Sequence, residues 1–433
     1  MSNYFSERMI DEVVRRGVLG IEFNSLLYED ANPAYQRPKK GQLEKDVSKM
    51  TSIERIWSVI ERKQKDLQSR VFGKLSDGIS DIVGEKVRSM GYENLRVPNT
   101  ICRAGNAKLP PSVLVINMSS SLMCPSFYLG LCTIADCRCY AQQAENQHTN
   151  NVLPNRWQTD LMHTQMLQQY EKGNRSLMRD YFNLVETYIQ LGNAYAARLS
   201  REAIADVEYR ENRKLSKKER AAIRSVYNKY KITDVRLNET GDFHCQLAVD
   251  LWAKFAEKIK RKYAISTHAY TARNLDFSDA SKVMAINASH SGINLGDEDE
   301  RKFRAVPDDY YDSLRGGAEV RNRQPVLGYN GSVYYYKCPC GDNESMCDRC
   351  GVCFARNLTG KPYTIFVRYH GMKKANGLKR LFSRGEIEGV IEKLYKNGWV
   401  TDDEYKVYKS KRHQDFLSDL DNKINARRRA DND

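Results

Sequence analysis

Between residues 234 and 288, short apolar runs alternate with helical stretches. A chain patterned in this way has few folds open to it. Asp234-Val235-Arg236-Leu237-Asn238 reads as a strand, and Gln246 to Lys262 reads as an amphipathic helix with Leu247, Leu251, Phe255 and Ile259 every four residues. A second strand follows over 264–271, a short helical piece over 276–282 and a third strand over 283–288. Upstream, Ser112-Val113-Leu114-Val115-Ile116-Asn117-Met118 is a β-branched run of buried-strand length. Strands joined by helices bury both faces of a parallel sheet. The expected class is therefore α/β, a complete or partial (β/α) barrel with parallel strands and helical N-terminal and C-terminal extensions. An open doubly wound sheet is the alternative, although no Gly-rich phosphate loop follows any strand. In a barrel, chemistry collects at the carboxyl ends of the strands.

The domain reading follows from texture. Residues 1–100 read as a helical N-terminal region, with apolar positions at 56, 60, 67, 71, 75, 79 and 82. Residues 105–372 read as a metal-binding, barrel-like core with a basic helical insertion near 209–231. Residues 376–433 read as a charged, helical C-terminal region ending in Arg427-Arg428-Arg429, expected to be a frayed tail. No run approaches the ~18–20 apolar residues that span a bilayer, and the first residues carry no apolar signal region. A cytoplasmic protein without a membrane partner is expected, and in a reducing compartment cysteines serve as ligands or free thiols rather than disulfides.

Nine of the eleven cysteines fall in two windows of sixteen residues each, where even scatter would place fewer than one. The first holds Cys124, Cys132, Cys137 and Cys139; the second holds Cys338, Cys340, Cys347, Cys350 and Cys353. Both windows are loop-like in composition, so core burial does not explain them. Grouped thiolates bind zinc or an iron–sulfur cluster. Cys347-x2-Cys350-x2-Cys353 has the spacing of the three-cysteine run of ferredoxins, with a remote fourth ligand from Cys338, Cys340 or the first window. That favours one or two clusters, most naturally 4Fe-4S. Zinc is the alternative, held by Cys338, Cys340, Cys347 and Cys350, or with His370 as a ligand.

The net charge of +14 and pI of about 9.1 point to a polyanionic partner, with nucleic acid first among them. Half of the excess lies between Tyr209 and Lys231, where nine Lys/Arg face two Glu for a net +7. Arg213, Lys214, Lys217, Lys218, Arg220 and Arg224 are the expected nucleic-acid contacts. Asp242, which follows Gly241 near a strand end, is a candidate nucleophile or general base; its structural alternative is to cap the helix starting near Gln246. Asn238 and His290 complete the candidate catalytic set. A strand histidine such as His268 is more often a core residue. His148 and His163 suggest no role, and Tyr334-Tyr335-Tyr336 reads as strand packing.

Cys124-Pro125, the Cys139-Tyr140-Ala141 end of the first window, Arg236 to Phe243, Ala269-Tyr270-Thr271-Ala272-Arg273 and the closing Cys338-Pro339 to Phe354 together resemble the phage gene-product-88-like family over roughly residues 105–370. The resemblance implies a phage or prophage protein in an infected bacterial cell, distantly similar to barrel enzymes of the radical S-adenosylmethionine type. S-adenosylmethionine is the co-substrate that relation implies, but the sequence contains neither Cys-x3-Cys-x2-Cys nor a Gly-Gly-Glu-type motif. The leading expectation is an iron–sulfur enzyme that modifies nucleic acid or a nucleotide precursor. Two others compete with it: a guanine transglycosylase-like enzyme with a structural zinc and Asp242 as nucleophile, and a non-catalytic, metal-stapled nucleic-acid-binding or virion protein.

Overall fold

The computed structural model describes residues 102–430, with breaks at 106–108, 111, 119–123, 133–140, 142–151, 229–230, 290–294, 296–300, 322–323, 340–346, 355–360 and 369–383. The helical reading of residues 1–100 lies outside the described residues.

The described residues form a nine-stranded sheet and a small two-stranded ribbon. The strands are β1 (Arg103–Ala104), β2 (Val113–Ile116), β3 (Asp234–Leu237), β4 (Ser266–Thr271), β5 (Ala285–Ala288), β6 (Arg301–Val306), β7 (Val320–Arg321), β8 (Gln324–Pro325), β9 (Gly328–Tyr329), β10 (Tyr334–Lys337) and β11 (Tyr363–Arg368). Their order in the large sheet is β1-β2-β3-β4-β5-β6-β11-β10-β9, and β7 pairs with β8 in the ribbon. From β2 through β6 to β11 and β10 every pairing is parallel; only the flanking β1 and β9 run antiparallel. The three strands read from the alternation at 234–288 are β3, β4 and β5, side by side in chain order.

The helices are α1 (Pro125–Tyr128), α2 (Val152–Glu171), α3 (Ser176–Arg210), α4 (Lys217–Tyr227), α5 (Gln246–Tyr263), α6 (Ser278–Ser281), α7 (Asp308–Ser313), α8 (Cys347–Cys350), α9 (Arg384–Lys396), α10 (Asp402–Lys409) and α11 (Lys411–Ala430). Arg427-Arg428-Arg429 lie within α11. No helix among the described residues is long and apolar enough to cross a membrane.

Strand side chains alternate between faces, so register sorts them. Leu114, Ile116, Val235, Leu237, Ala269, Ile286 and Ala288 point one way, into the main core, with Trp252, Phe255 and Ile259 of α5 and Met162, Met166, Tyr181, Val185 and Tyr188 of α2 and α3. Burying each such large side chain contributes about 1.5–3 kcal/mol. The alternate residues are of another kind. Arg236, His268, Tyr270, Asn287 and Arg301 sit on the opposite face, beside Val113 and Val115. That face is polar and, at His268, Asn287 and Arg301, fully buried.

Candidate functional site

The carboxyl ends of β2, β3 and β4 are drawn together by one carboxylate. Asp242 is buried, and its Oδ2 accepts from Ser126 Oγ (2.6 Å) and the Ala272 amide (2.7 Å). Its Oδ1 accepts from Thr271 Oγ1 (2.7 Å) and the Phe243 amide (2.8 Å). Burial pushes the acid above the usual carboxylate range, opposed by these hydrogen bonds and by Arg273. Four donors fill its acceptor positions, so the geometry fits a positioning residue better than a nucleophile. Nor does Asp242 cap α5. The residue before that helix is Cys245, which makes no side-chain cap.

Arg273 extends the knot. It is fully buried, and its Nε and Nη2 meet Glu404 in a bidentate pair at 2.7 and 2.8 Å. Its remaining N–H groups donate to the carbonyls of Phe243 (2.6 Å), His244 (2.8 Å) and Trp399 (2.7 Å). Glu404 also accepts from the Asn274 amide (2.8 Å) and closes a capping box with Thr401 at the start of α10. The C-terminal helices are thereby fastened to the ends of β3 and β4. They also carry the first cysteine loop: Phe127, Tyr128, Leu129 and Leu131 pack with Ile387, Ile391, Tyr408 and Leu417. His413 of α11 bonds the Tyr128 carbonyl at 2.7 Å. Gly130, at φ +73°, leaves room for that imidazole, since a Cβ there would lie 2.4 Å from His413 Nδ1.

Alongside this knot lies a second polar group. His244 Nε2 and Asp160 Oδ1 share a 2.8 Å bond, both buried. The His163 ring stands 6.3 Å from that of His244 and 4.8 Å from that of Tyr181. Burial, and then His244, push His163 down to about 3, so it is neutral. It lies by the backbone of Met118 and Thr159, yet neither ring nitrogen makes a bond of hydrogen-bonding geometry. Asn238 sits just beyond β3 at φ +56°, buried, with both amide atoms unpartnered. Gln158 of α2 is equally buried and unpartnered. Sequence reasoning singled out Asn238 but passed over His163 and Gln158. The available signal was α2 itself, whose twenty residues include only Arg156, Asp160 and Glu171 as charges. His290 lies outside the described residues.

Of the first window, Cys124 precedes α1 and is partly exposed, as is Cys132; Cys137 and Cys139 lie outside the described residues. Ser126 joins this loop directly to Asp242. The second window covers the polar sheet face. Phe354 stacks on His268 (centroids 4.4 Å), Asn287 Nδ2 donates to the Cys353 carbonyl (3.2 Å) and Arg301 Nη1 donates to that of Val352 (3.0 Å). Tyr336 Oη and Cys350 Sγ are 3.1 Å apart; burial raises that phenol first, and Cys350, Cys338 and Cys353 lie close enough to add to it. Tyr270, beneath the Arg236 guanidinium (4.9 Å), is raised by burial first and then by Cys353 and Cys347, with Arg236 opposing. Cys338, Cys347, Cys350 and Cys353 thus gather over two phenols, although no three His, Cys, Asp or Glu among the described residues form a closed ligand set. Cys340 and His370 lie outside the described residues. Cys102 and Cys245, the cysteines outside both windows, are buried in the main core; burial raises both, Cys245 to about 11.

The basic segment is a helical hairpin of α3 and α4. Part of its charge is already spoken for. Arg213 pairs with Glu211 and Glu219, and Lys214 and Arg220 pair with Glu208. Lys217, Lys218 and Arg224 are exposed and form no ion pair among the described residues. Of the six expected phosphate contacts, Arg213, Lys214 and Arg220 thus also serve ion pairs within the hairpin.

Fold and site define a mostly parallel α/β protein with two cysteine loops, one at the carboxyl edge of the sheet and one across its polar face. No protein-family model matches the chain, and no curated protein or solved structure matches it either.

Proposed function

We propose that this chain is a metal–thiolate enzyme, with an iron–sulfur cluster as the metal group, acting on nucleic acid or a nucleotide precursor. The observation that carries the reading is the gathering of Cys338, Cys347, Cys350 and Cys353 over the phenols of Tyr336 and Tyr270. Soft sulfur donors at two-residue intervals suit iron–sulfur or zinc. The Tyr336 hydroxyl lies 3.1 Å from Cys350 Sγ, the kind of outer contact that would support a sulfur if it bound metal. The bound group would supply electron transfer or Lewis acidity. The chain's own residues would seat the cysteine loop through Asn287 and Arg301, exclude water with Phe354, and hold the strand ends in register through Asp242.

The finer architectural reading, a complete or partial (β/α) barrel, belongs with this proposal. Seven parallel strands with a polar face turned toward a covering loop suit such a closure. The resemblance to the phage gene-product-88-like family supports the same reading through its cysteine motifs. A base-exchange enzyme with Asp242 as nucleophile is less well supported, because four hydrogen bonds would have to break first.

The test is metal analysis of anaerobically purified full-length protein. Brown protein carrying iron and sulfide, lost in Cys350→Ser, is the expected result. Colourless protein with zinc alone would overturn the iron–sulfur reading, and metal-free protein would overturn the metal reading altogether. For the polyanion, charge removal at Lys217, Lys218 and Arg224 should reduce the salt slope of DNA or RNA binding by about three counterions' worth.

A further inference from the structure

We infer that the exposed edge of the sheet at β9 and β10 binds single-stranded nucleic acid, stacking bases on Tyr329 and Tyr334. The choice of nucleic acid rests on the proposed function; the surface itself rests on strand register. Tyr334 lies opposite Tyr363 of β11 on one side and Tyr329 of β9 on the other, and Tyr363 lies opposite Arg301 of β6. Neighbouring strands are about 4.8 Å apart, so these residues form one row across the sheet. Residues in register share a face, and this row lies on the face that the second cysteine loop covers. Tyr336, next but one to Tyr334 on β10, packs with Tyr363, Val352 and Cys338 and against Cys350 and Cys353; Leu327, next but one to Tyr329, packs against the same cluster.

The row passes from buried to exposed. Arg301 and Tyr363 are buried, and Arg301 Nη1 donates to the Val352 carbonyl of the cysteine loop (3.0 Å). Tyr334 is 38% exposed and Tyr329 59%. Their ring centres stand 5.0 Å apart, and the Lys361 ammonium sits 4.9 Å from the centre of the Tyr334 ring. The Tyr329 hydroxyl donates to the Gly331 carbonyl (3.0 Å), which pins that phenol to the hairpin turn. Val326 and Val333 are exposed in the same short stretch, so apolar surface concentrates here instead of appearing as a stray side chain. Strand packing accounts for Tyr335 and Tyr336, both buried, but not for Tyr334 or Tyr329.

Flat rings held on a sheet and open to water suit a partner with flat faces of its own. Aromatic side chains displayed on a β-sheet stack unpaired bases with little regard to sequence, and a cation beside them meets the phosphates. Lys361 supplies that charge, in a chain of net charge +14. A duplex keeps its base faces stacked internally, so the rings favour single strands. A second copy of the chain is a poorer fit, because β9 is an edge of only two residues, too short to template strand pairing. Position agrees with the proposed chemistry: Tyr334 lies about 7 Å along β10 from Tyr336, whose hydroxyl meets Cys350 Sγ.

The experiment titrates dye-labelled oligothymidylate and oligouridylate with the full-length protein, reading fluorescence anisotropy, with a DNA duplex of the same length as control. At least one single strand should bind more tightly than the duplex. Tyr329→Ala and Tyr334→Ala should each weaken that binding about tenfold without changing its salt slope, because stacking releases no counterions. Tyr334→Phe should keep the parent affinity, and Lys361→Gln should lower the salt slope by about one. Both tyrosines are exposed, so the unfolding midpoints of the variants should match the parent. The inference fails if the double alanine variant binds single strands as the parent does, or if the duplex is preferred. It fails equally if sedimentation shows the alanine variants dissociating a dimer while nucleic-acid affinity holds. Metal content measured on the same samples separates the two proposals. Tyrosine-dependent binding by metal-free protein would sink the metal reading alone; metal-loaded protein whose nucleic-acid binding ignores both tyrosines would sink this surface alone.

Discussion

Two buried polar networks lie side by side at the carboxyl edge of the sheet and differ in one respect. In the first, Arg273 and Glu404 satisfy one another, Arg273 spends its other N–H groups on backbone carbonyls, and Asp242 is filled by four donors from Ser126, Phe243, Thr271 and Ala272. In the second, Asn238, His163 and Gln158 are just as deeply buried, and their side-chain nitrogen and oxygen atoms make no hydrogen bond of good geometry. A saturated network holds strands and helices in place and has no capacity left for a substrate. An unsatisfied one detracts from stability and retains its bonding capacity for a ligand. The first network's geometry is therefore that of fold maintenance.

The largest effect that would break this contrast is at the ion pair. Glu404→Ala leaves Arg273 charged and buried, and should cost about 3–5 kcal/mol of stability in urea unfolding. A loss below ~1 kcal/mol would mean that the C-terminal helices are not fastened there. Asp242→Asn comes next. It turns an amide N–H toward donors and should cost about 1–3 kcal/mol, together with looser proteolytic protection of the Cys124 loop. If Asp242 instead carries the chemistry, activity should vanish while stability stays intact.

The second network should respond to pH. His163 titrates near 3 when folded against 6.5 when unfolded, so the unfolded chain takes up the proton first. Its neutral form therefore supports the fold fully above pH 6.5, and that support drains away as pH falls from 6.5 toward 3. Denaturant midpoints measured across this range should flatten in His163→Phe relative to the parent; parallel curves would contradict the buried, neutral assignment. The smallest effect is at Asn238→Gly, expected to lie within about 1 kcal/mol of the parent, in contrast to the losses at Glu404 and Asp242.

The strands and helices were legible because their apolar spacing is clean. Val235 and Leu237 alternate, and Leu247, Leu251, Phe255 and Ile259 repeat at helical distance, so β3, α5, β4 and β5 fall where the pattern places them. The C-terminal region read as helical for the same reason, but nothing in its sequence announced that Glu404 reaches Arg273, 131 positions earlier. Asp242 attracted notice as a strand-end carboxylate. Its four donors come from Ser126, Phe243, Thr271 and Ala272, three of them remote in the chain, so spacing could not distinguish an anchor from a nucleophile. His163 escaped notice because Gln158 to Gln165 lacks an apolar stripe, and a polar run looks solvated until a sheet and two helix layers close over it.

By itself, then, the sequence determined the α/β class, the strands β2 to β5 with the helix α5 between β3 and β4, the two cysteine windows and the basic helical segment. These follow from periodicity and local composition, which act over a few residues. Only the tertiary structure decided which polar residues meet a partner when buried. It also placed the second cysteine loop across the polar face of the sheet rather than at its edge, and it tied three of the six basic residues to neighbouring glutamates. Each of these outcomes depends on groups far apart in the chain or on opposite sides of a turn, where hydrogen-bond and charge complementarity exist only after the sheet has assembled.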